Sequence, residues 1–174
     1  MITPETKIWT WVLERECPEC GFDASTTPAA DVAALVRANA KDWRQLFASG
    51  LIRPGRPNAT TWSSLEYACH VRDVYRRMVS RVVAMLAEDD PVFANWDQDE
   101  SAITDRYEAQ DPATVISEVG DAAEAMAARL DAFTADEWRR PGRRSDGASF
   151  TIDTISRYMA HDLIHHVWDV KQFA

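Results

Sequence analysis

The chemistry of this chain is concentrated in its four histidines, which fall in two segments of helical periodicity: His70 in one, and His161, His165 and His166 together in the other. Residues four apart stack on one helix face, so His161 and His165 can present two imidazoles to one ion while His70, on a neighbouring helix, supplies a third. Three neutral nitrogens with coordination positions left open describe a catalytic metal site. A structural zinc site instead closes its coordination with four protein ligands, usually including thiolates. Imidazole-rich sites accept zinc, nickel, iron or copper, and the expected cofactor is a divalent ion, zinc or nickel first, then iron or manganese.

The tandem His165-His166 also permits a second register, in which Asp162 and His166 are the i, i+4 pair. At about 100° per residue, the apolar side of this helix is centred on Ile152, Ile155, Met159, Leu163 and Val170. His166 lies nearer that centre than His161, which sits toward Arg157, so the wheel favours Asp162/His166. In either register Asp169, one turn further on, is placed to accept an imidazole N–H and fix its tautomer; Glu66, one turn before His70, is the other candidate for that role.

A second chemical feature is Cys17-Pro18-Glu19-Cys20-Gly21, in an N-terminal arm with Trp9, Trp11 and Phe22. A single C-x-x-C reads first as a tight turn with two reduced thiols. It becomes half of a zinc knuckle if another chain or a distant ligand such as Cys69 completes it, and a redox pair if the thiol pKa values are lowered.

The elements that must position these groups are four long helices. The first begins at Thr27, a candidate N-cap with Pro28 at the first helical position, and runs through Val32, Leu35, Val36, Trp43 and Leu46 to Gly50. The second opens on Ser63 and Glu66 at capping-box spacing and ends near Ala87. Residues 88–110 are acidic and aromatic and form a long connection with room for one short helix. Asp111-Pro112 caps the third helix, which ends near Phe133; residues 134–140 add a turn. Pro141 to Gly147 reads as a loop, and the fourth helix runs from Ser149 to Lys171. The expected architecture is all-α: residues 1–26 an arm carrying the C-x-x-C, residues 27–174 a four-helix bundle.

Within this framework Trp62-Ser63-Ser64-Leu65-Glu66-Tyr67-Ala68-Cys69-His70-Val71-Arg72-Asp73, followed by His161-Asp162-Leu163-Ile164-His165-His166, resembles the DinB-like family of metalloenzymes. That family consists of four-helix bundles related to mycothiol-dependent maleylpyruvate isomerases and bacillithiol transferases, and the resemblance covers roughly residues 28 to 172. It implies a metal site of three side chains, with His70 in the first family position. The H-x-x-x-H of His161 and His165 takes the other two, although relatives also use a carboxylate there. On the motif, the set His70, His161 and His165 is preferred over Asp162/His166.

Composition limits the function. The 174 residues, 46% hydrophobic, suffice for one domain with its own core. A net charge of −9 and a pI near 4.9 leave no basic footprint for nucleic acid and oppose an anionic membrane. No apolar run approaches bilayer length, and the start Met1-Ile2-Thr3-Pro4-Glu5 lacks a basic and apolar leader, so a cytoplasmic location is expected. Three cysteines do not form a secreted disulfide framework. Trp62 reads as core, Trp96 and Trp168 as pocket walls, and Arg140, Arg143 and Arg144 as solvated loop charges placed to meet a substrate carboxylate.

The resemblance implies a metal-dependent thiol transferase or isomerase acting on a small molecule, with a low-molecular-weight thiol such as mycothiol as cosubstrate. Dimers occur in related bundles, so a homodimer is compatible. Asp162, Glu66 and His166 are the positional candidates for a general base. The rival readings are a metal-dependent hydrolase that activates water, and a bundle that binds metal or dimerises without turnover.

Overall fold

Helix capping and apolar periodicity account for most of the architecture. The computed structural model describes residues 9–173, so the first eight residues of the expected arm and Ala174 lie outside the described residues. Five α-helices follow one another: α1 (Val32–Ala48), α2 (Ser64–Ala87), the short α3 (Gln98–Thr104), α4 (Pro112–Asp131) and α5 (Ile152–Phe173). Three short strands, β1 (Val92–Phe93), β2 (Pro141–Arg144) and β3 (Ser149–Thr151), form a small sheet in that order. The four long helices make the bundle. Each of α1 and α2 packs against both α4 and α5, so α1 sits across the core from α2, and α4 from α5. None of the described helices is long and apolar enough to cross a membrane.

The core is continuous through all four. Trp43 of α1, Leu65, Tyr75 and Met85 of α2, Met126 of α4, and Ile155, Met159 and Leu163 of α5 are fully buried. Each such side chain contributes about 1.5–3 kcal/mol of burial, enough for the bundle to stand without a bound ion. One polar link crosses this core: the Tyr75 hydroxyl donates to Asn39 Oδ1 at 2.9 Å, and Asn39 Nδ2 donates to the Leu163 carbonyl at 2.7 Å. It ties α1 and α2 to α5 within the stretch of α5 that carries the histidines.

The capping box on α2 forms as the sequence requires: Ser63 accepts from the Glu66 N–H, and Glu66 accepts from the Ser63 N–H. Asp111 caps α4 through the Thr114 N–H, with Pro112 in the first turn. Two starts differ from expectation. Thr27 does not cap α1; its hydroxyl donates to the Asp23 carbonyl at 2.7 Å. A 3-10 turn, Ala29–Asp31, precedes the α-helix at Val32. At the other end, Pro141 to Gly147 is a hairpin rather than a loop. β2 pairs antiparallel with β3 and parallel with β1, and Asp146-Gly147, with Gly147 at φ +96°, makes the turn. Residues 149–151 are thereby taken into β3, and α5 starts at Ile152. Close approach also fixes β2, because a Cβ on Gly142 would stand 2.7 Å from Met85 Cγ.

A buried charged network secures α2 near His70. Arg72 bonds Asp73, Gln110 and Glu118, and the Tyr107 hydroxyl donates to Asp73. Burial works against the Asp73 carboxylate, but the hydrogen bonds from Arg72 and Tyr107 outweigh it and carry its pKa below the ordinary value. A depressed folded-state pKa stabilises above the unfolded value and ceases to as pH falls through the folded one. Tyr107→Phe is therefore expected to lower stability by about 1.5–3 kcal/mol at neutral pH, the scale of a hydrogen bond to a charged group. Urea denaturation at descending pH should show that gap narrowing as pH falls below the ordinary aspartate value of about 4 and on through the lower pH at which folded Asp73 protonates; a gap independent of pH would exclude Asp73 as the acceptor.

Candidate metal centre

The middle of α5 faces the first turns of α2, and there three ligand-type side chains converge. His70 Nε2 lies 3.5 Å from Asp162 Oδ2, and Asp162 Oδ1 lies 3.4 Å from His166 Nε2. The His70 and His166 rings stand 4.8 Å apart at 85°. Ligand atoms of all three residues lie within 4.8 Å of one another. Donors around a single tetrahedral ion at bond lengths near 2.0–2.2 Å are separated by about 3.3–3.6 Å, so the set needs only a small contraction to hold one. Two imidazoles and one carboxylate are the donors that zinc, iron and nickel accept while keeping positions open.

Beyond these three residues only His166 has a carboxylate behind it, while His70 Nδ1 is buried without a hydrogen-bond partner among the described residues. His166 Nδ1 is 2.8 Å from Asp169 Oδ2, which fixes the ring with Nε2 turned to Asp162. Burial disfavours a charged His166, but Asp162 and Asp169 outweigh it and carry its pKa up to about 10. Burial likewise opposes an ionised Asp162, and His166 and His70 more than compensate, holding it well below the usual carboxylate range. His70 goes the other way: burial lowers its pKa, so it is a neutral donor. It is enclosed by aromatic rings, with Trp96 stacked 5.0 Å away at 8° and Trp62 at 5.2 Å.

The histidines named from sequence are thus all near one another but not in the preferred combination. His70 joins Asp162 and His166. His161 and His165 instead meet Cys17 and Cys20 of the arm. The reason is rotational: 161/165 and 162/166 are separate stripes about 100° apart on α5, and the second stripe faces α2 while the first faces the arm. Burial pushes His161 down to about 4 and lowers His165 as well, leaving both neutral. Glu66 is not a partner of His70. It is committed to the capping box and to an ion pair with Arg56. Cys69 does not complete the C-x-x-C; its sulfur faces the Tyr107 carbonyl and Gln110.

A cavity of about 680 Å³ opens over this centre. His70, Asp162 and His166 line it with Trp62, Trp96 and Trp168; Arg77, Arg81 and Arg144 supply positive charge, and Glu19, Asp97, Asp99, Asp146 and Asp169 supply negative charge. Of the three loop arginines, only Arg144 lines it: Arg143 pairs with Asp90, and Arg140 donates to the Met85 and Glu88 carbonyls. Arg77 lies over the Trp96 ring at 4.4 Å. Burial and the neighbouring Arg144 and Arg77 charges push the Arg81 pKa down, and Arg81 has no carboxylate partner among the described residues. Arg77 and Arg81 were legible in principle, seven and eleven residues after His70 and hence on its helix face.

The chain is thus a four-helix bundle with two imidazoles and one carboxylate that could hold a metal ion brought together between its second and last long helices. The sequence profile of the DinB superfamily matches residues 51–170, and the chain belongs to that superfamily. Among solved structures it is similar to YfiT from Bacillus subtilis, described as "a probable metal-dependent hydrolase with an unusual four-helix bundle topology", with a TM-score of 0.64, 15% identity, and coverage of 98% of this chain and 91% of that one. No curated protein matches this chain.

If one ion is shared by His70, Asp162 and His166, their losses are not additive. In elemental analysis of tag-free protein, His70→Ala and His166→Ala should each lose the same equivalent of metal, and the double variant no more than either alone. His165→Ala should not share that equivalent: any metal it loses should add to the loss in His70→Ala when the two are combined. Loss shared by His70→Ala and His165→Ala, with His166→Ala unaffected, would return the centre to the three-histidine set.

Proposed function

We propose that the chain is a metal-dependent thiol transferase or isomerase acting on a small anionic electrophile. The observation that carries this reading is the convergence of His70, Asp162 and His166 on the same cavity as the cationic side chains of Arg77, Arg81 and Arg144. A divalent ion on the three ligands would supply Lewis acidity, lowering the pKa of a coordinated thiol such as mycothiol. The arginines bind and orient a substrate carboxylate, Arg144 with its guanidinium already braced by Asp146. Trp62 and Trp96 exclude water around His70, and Asp169 holds the His166 ring. The thiol sulfur attacks the electrophilic carbon, its proton passing to solvent. In a transferase a leaving group then departs with the bonding pair; in an isomerase the new S–C bond breaks again after rotation.

Thiol attack is placed first on the resemblance of the His70 and His161–His166 motifs to thiol-dependent relatives; each sequence-derived candidate for a general base is otherwise engaged, Asp162 and His166 in the candidate ligand set and Glu66 by Arg56, which suits a nucleophile activated by the ion itself. A thiolate attacks without such a base. Hydrolysis remains the second reading, on the description attached to YfiT.

The test is turnover of a panel of electrophilic carboxylates by zinc- or nickel-loaded protein, with and without mycothiol. Turnover that requires both ion and thiol is expected; equal turnover without thiol would establish the hydrolase. Arg81→Met should raise KM for the anionic substrate by about 10- to 100-fold, the equivalent of one lost charge-assisted contact, with a smaller change in kcat. An unchanged KM would remove Arg81 from substrate binding.

A further inference from the structure

The donors that the first centre leaves unused assemble a second one. We propose that Cys17, Cys20, His161 and His165 form a closed Cys2His2 zinc site that fastens the N-terminal arm to α5. The arm contributes a knuckle. The Cys17 N–H donates to the Phe22 carbonyl at 3.0 Å and the Gly21 N–H to the Cys17 carbonyl at 2.9 Å. Gly21, at φ +72°, takes the left-handed conformation that the turn requires. This folds the two thiols toward α5, whose i, i+4 pair His161 and His165 meets them across more than 140 residues of sequence.

Ligand atoms of all four residues lie within 4.8 Å of one another. Cys17 Sγ is 3.7 Å from His165 Nδ1; tetrahedral zinc with bonds near 2.3 Å to sulfur and 2.0–2.1 Å to nitrogen sets that separation at about 3.6 Å. A hydrogen bond alone accounts for that pair but not for its neighbour: His161 Nε2 is buried with no hydrogen-bond partner, and buried polar atoms are rarely left so. His165 turns its other nitrogen to carboxylates, Nε2 lying 3.3 Å from Glu19 and 3.8 Å from Asp169, the arrangement that supports a ligating imidazole. All three described cysteines are free thiols. Zinc binding would release one proton from each of Cys17 and Cys20, so that two thiolates balance the ion while two neutral imidazoles complete four-coordination. With no position left open, the site is structural.

Its placement gives it a consequence for the cavity. His161 adjoins Asp162, His165 adjoins His166, and Asp169 touches both His165 and His166. The knuckle also carries Glu19, which with Trp9 lines the cavity. The second ion would hold one wall of the active cavity while taking no part in the reaction.

Cobalt substitution of the wild-type chain tests this directly, because only the second site contains sulfur. The expected result is a thiolate-to-cobalt charge-transfer band with intense visible absorption of tetrahedral Co2+, abolished by Cys20→Ser and retained in His70→Ala. As-purified protein should contain two equivalents of metal per chain, each variant losing one. A wild-type spectrum lacking the thiolate band, Cys20→Ser retaining its zinc, or a Cys17–Cys20 disulfide in protein prepared under reducing conditions would overturn the proposal. Cys20, only partly buried, is the preferred substitution; the wild-type spectrum decides the question even if a variant fails to fold.

Discussion

The structure depends on the rotational setting of α5. Two i, i+4 pairs run side by side on that helix, one residue out of register, and a turn of about 100° separates what each sees. Asp162 and His166 look toward α2 and the cavity; His161 and His165 look toward the arm. A helix rotated by one residue position would exchange these roles and leave His70 facing the wrong stripe. The setting is held from beneath by Ile155, Met159, Leu163 and Val170 in the core. It is held laterally by Asn39 on the Leu163 carbonyl, by Thr151 and Thr154 bonding reciprocally at the N-terminus, and by the Arg157 guanidinium on the Ala24 carbonyl of the arm.

Given that setting, the electrostatics of the centre are consistent with its use. The cavity sets three guanidinium groups, Arg77, Arg81 and Arg144, among the carboxylates of Glu19, Asp97, Asp99, Asp146, Asp162 and Asp169, with Arg81 partly desolvated and lacking a carboxylate partner among the described residues. Asp162 and Asp169 offset this on the α5 side, clamping His166 between them. A cavity with ligand carboxylates on one flank and guanidinium groups on another orients an anionic substrate relative to the centre rather than merely attracting it. Asp169, touching both His165 and His166, links the setting of the two neighbouring stripes.

Much of this was readable from the residues alone. The capping box at Ser63 and Glu66, Asp111-Pro112 and the apolar periodicities located the bundle helices closely, because local hydrogen bonding and burial determine those ends. The convergence of Asp162 and His166 on His70 was also present in the wheel of α5, where His166 lies nearer the apolar centre than His161; the motif His-Asp-x-x-His pointed the other way. The motif could not show that the arm would occupy the His161/His165 face, since that pairing joins residues distant in sequence. The same holds for the partner of the C-x-x-C, for which Cys69 was no better than any other distant donor. The hairpin of β2 and β3 was concealed by its length, although Asp146-Gly147 is a turn signal with a physical basis. Thr27 failed as a cap because the Asp23 carbonyl, four residues earlier, took its hydroxyl.

The central claim is that one ion sits between α2 and α5 on His70, Asp162 and His166. Anomalous diffraction at the metal edge from crystals of the metal-loaded protein locates ions without assuming any ligand. A peak within bonding distance of His70, Asp162 and His166 together is the predicted result. A peak bonded to His70, His161 and His165, or none beside His70 in protein shown to be loaded, would contradict it.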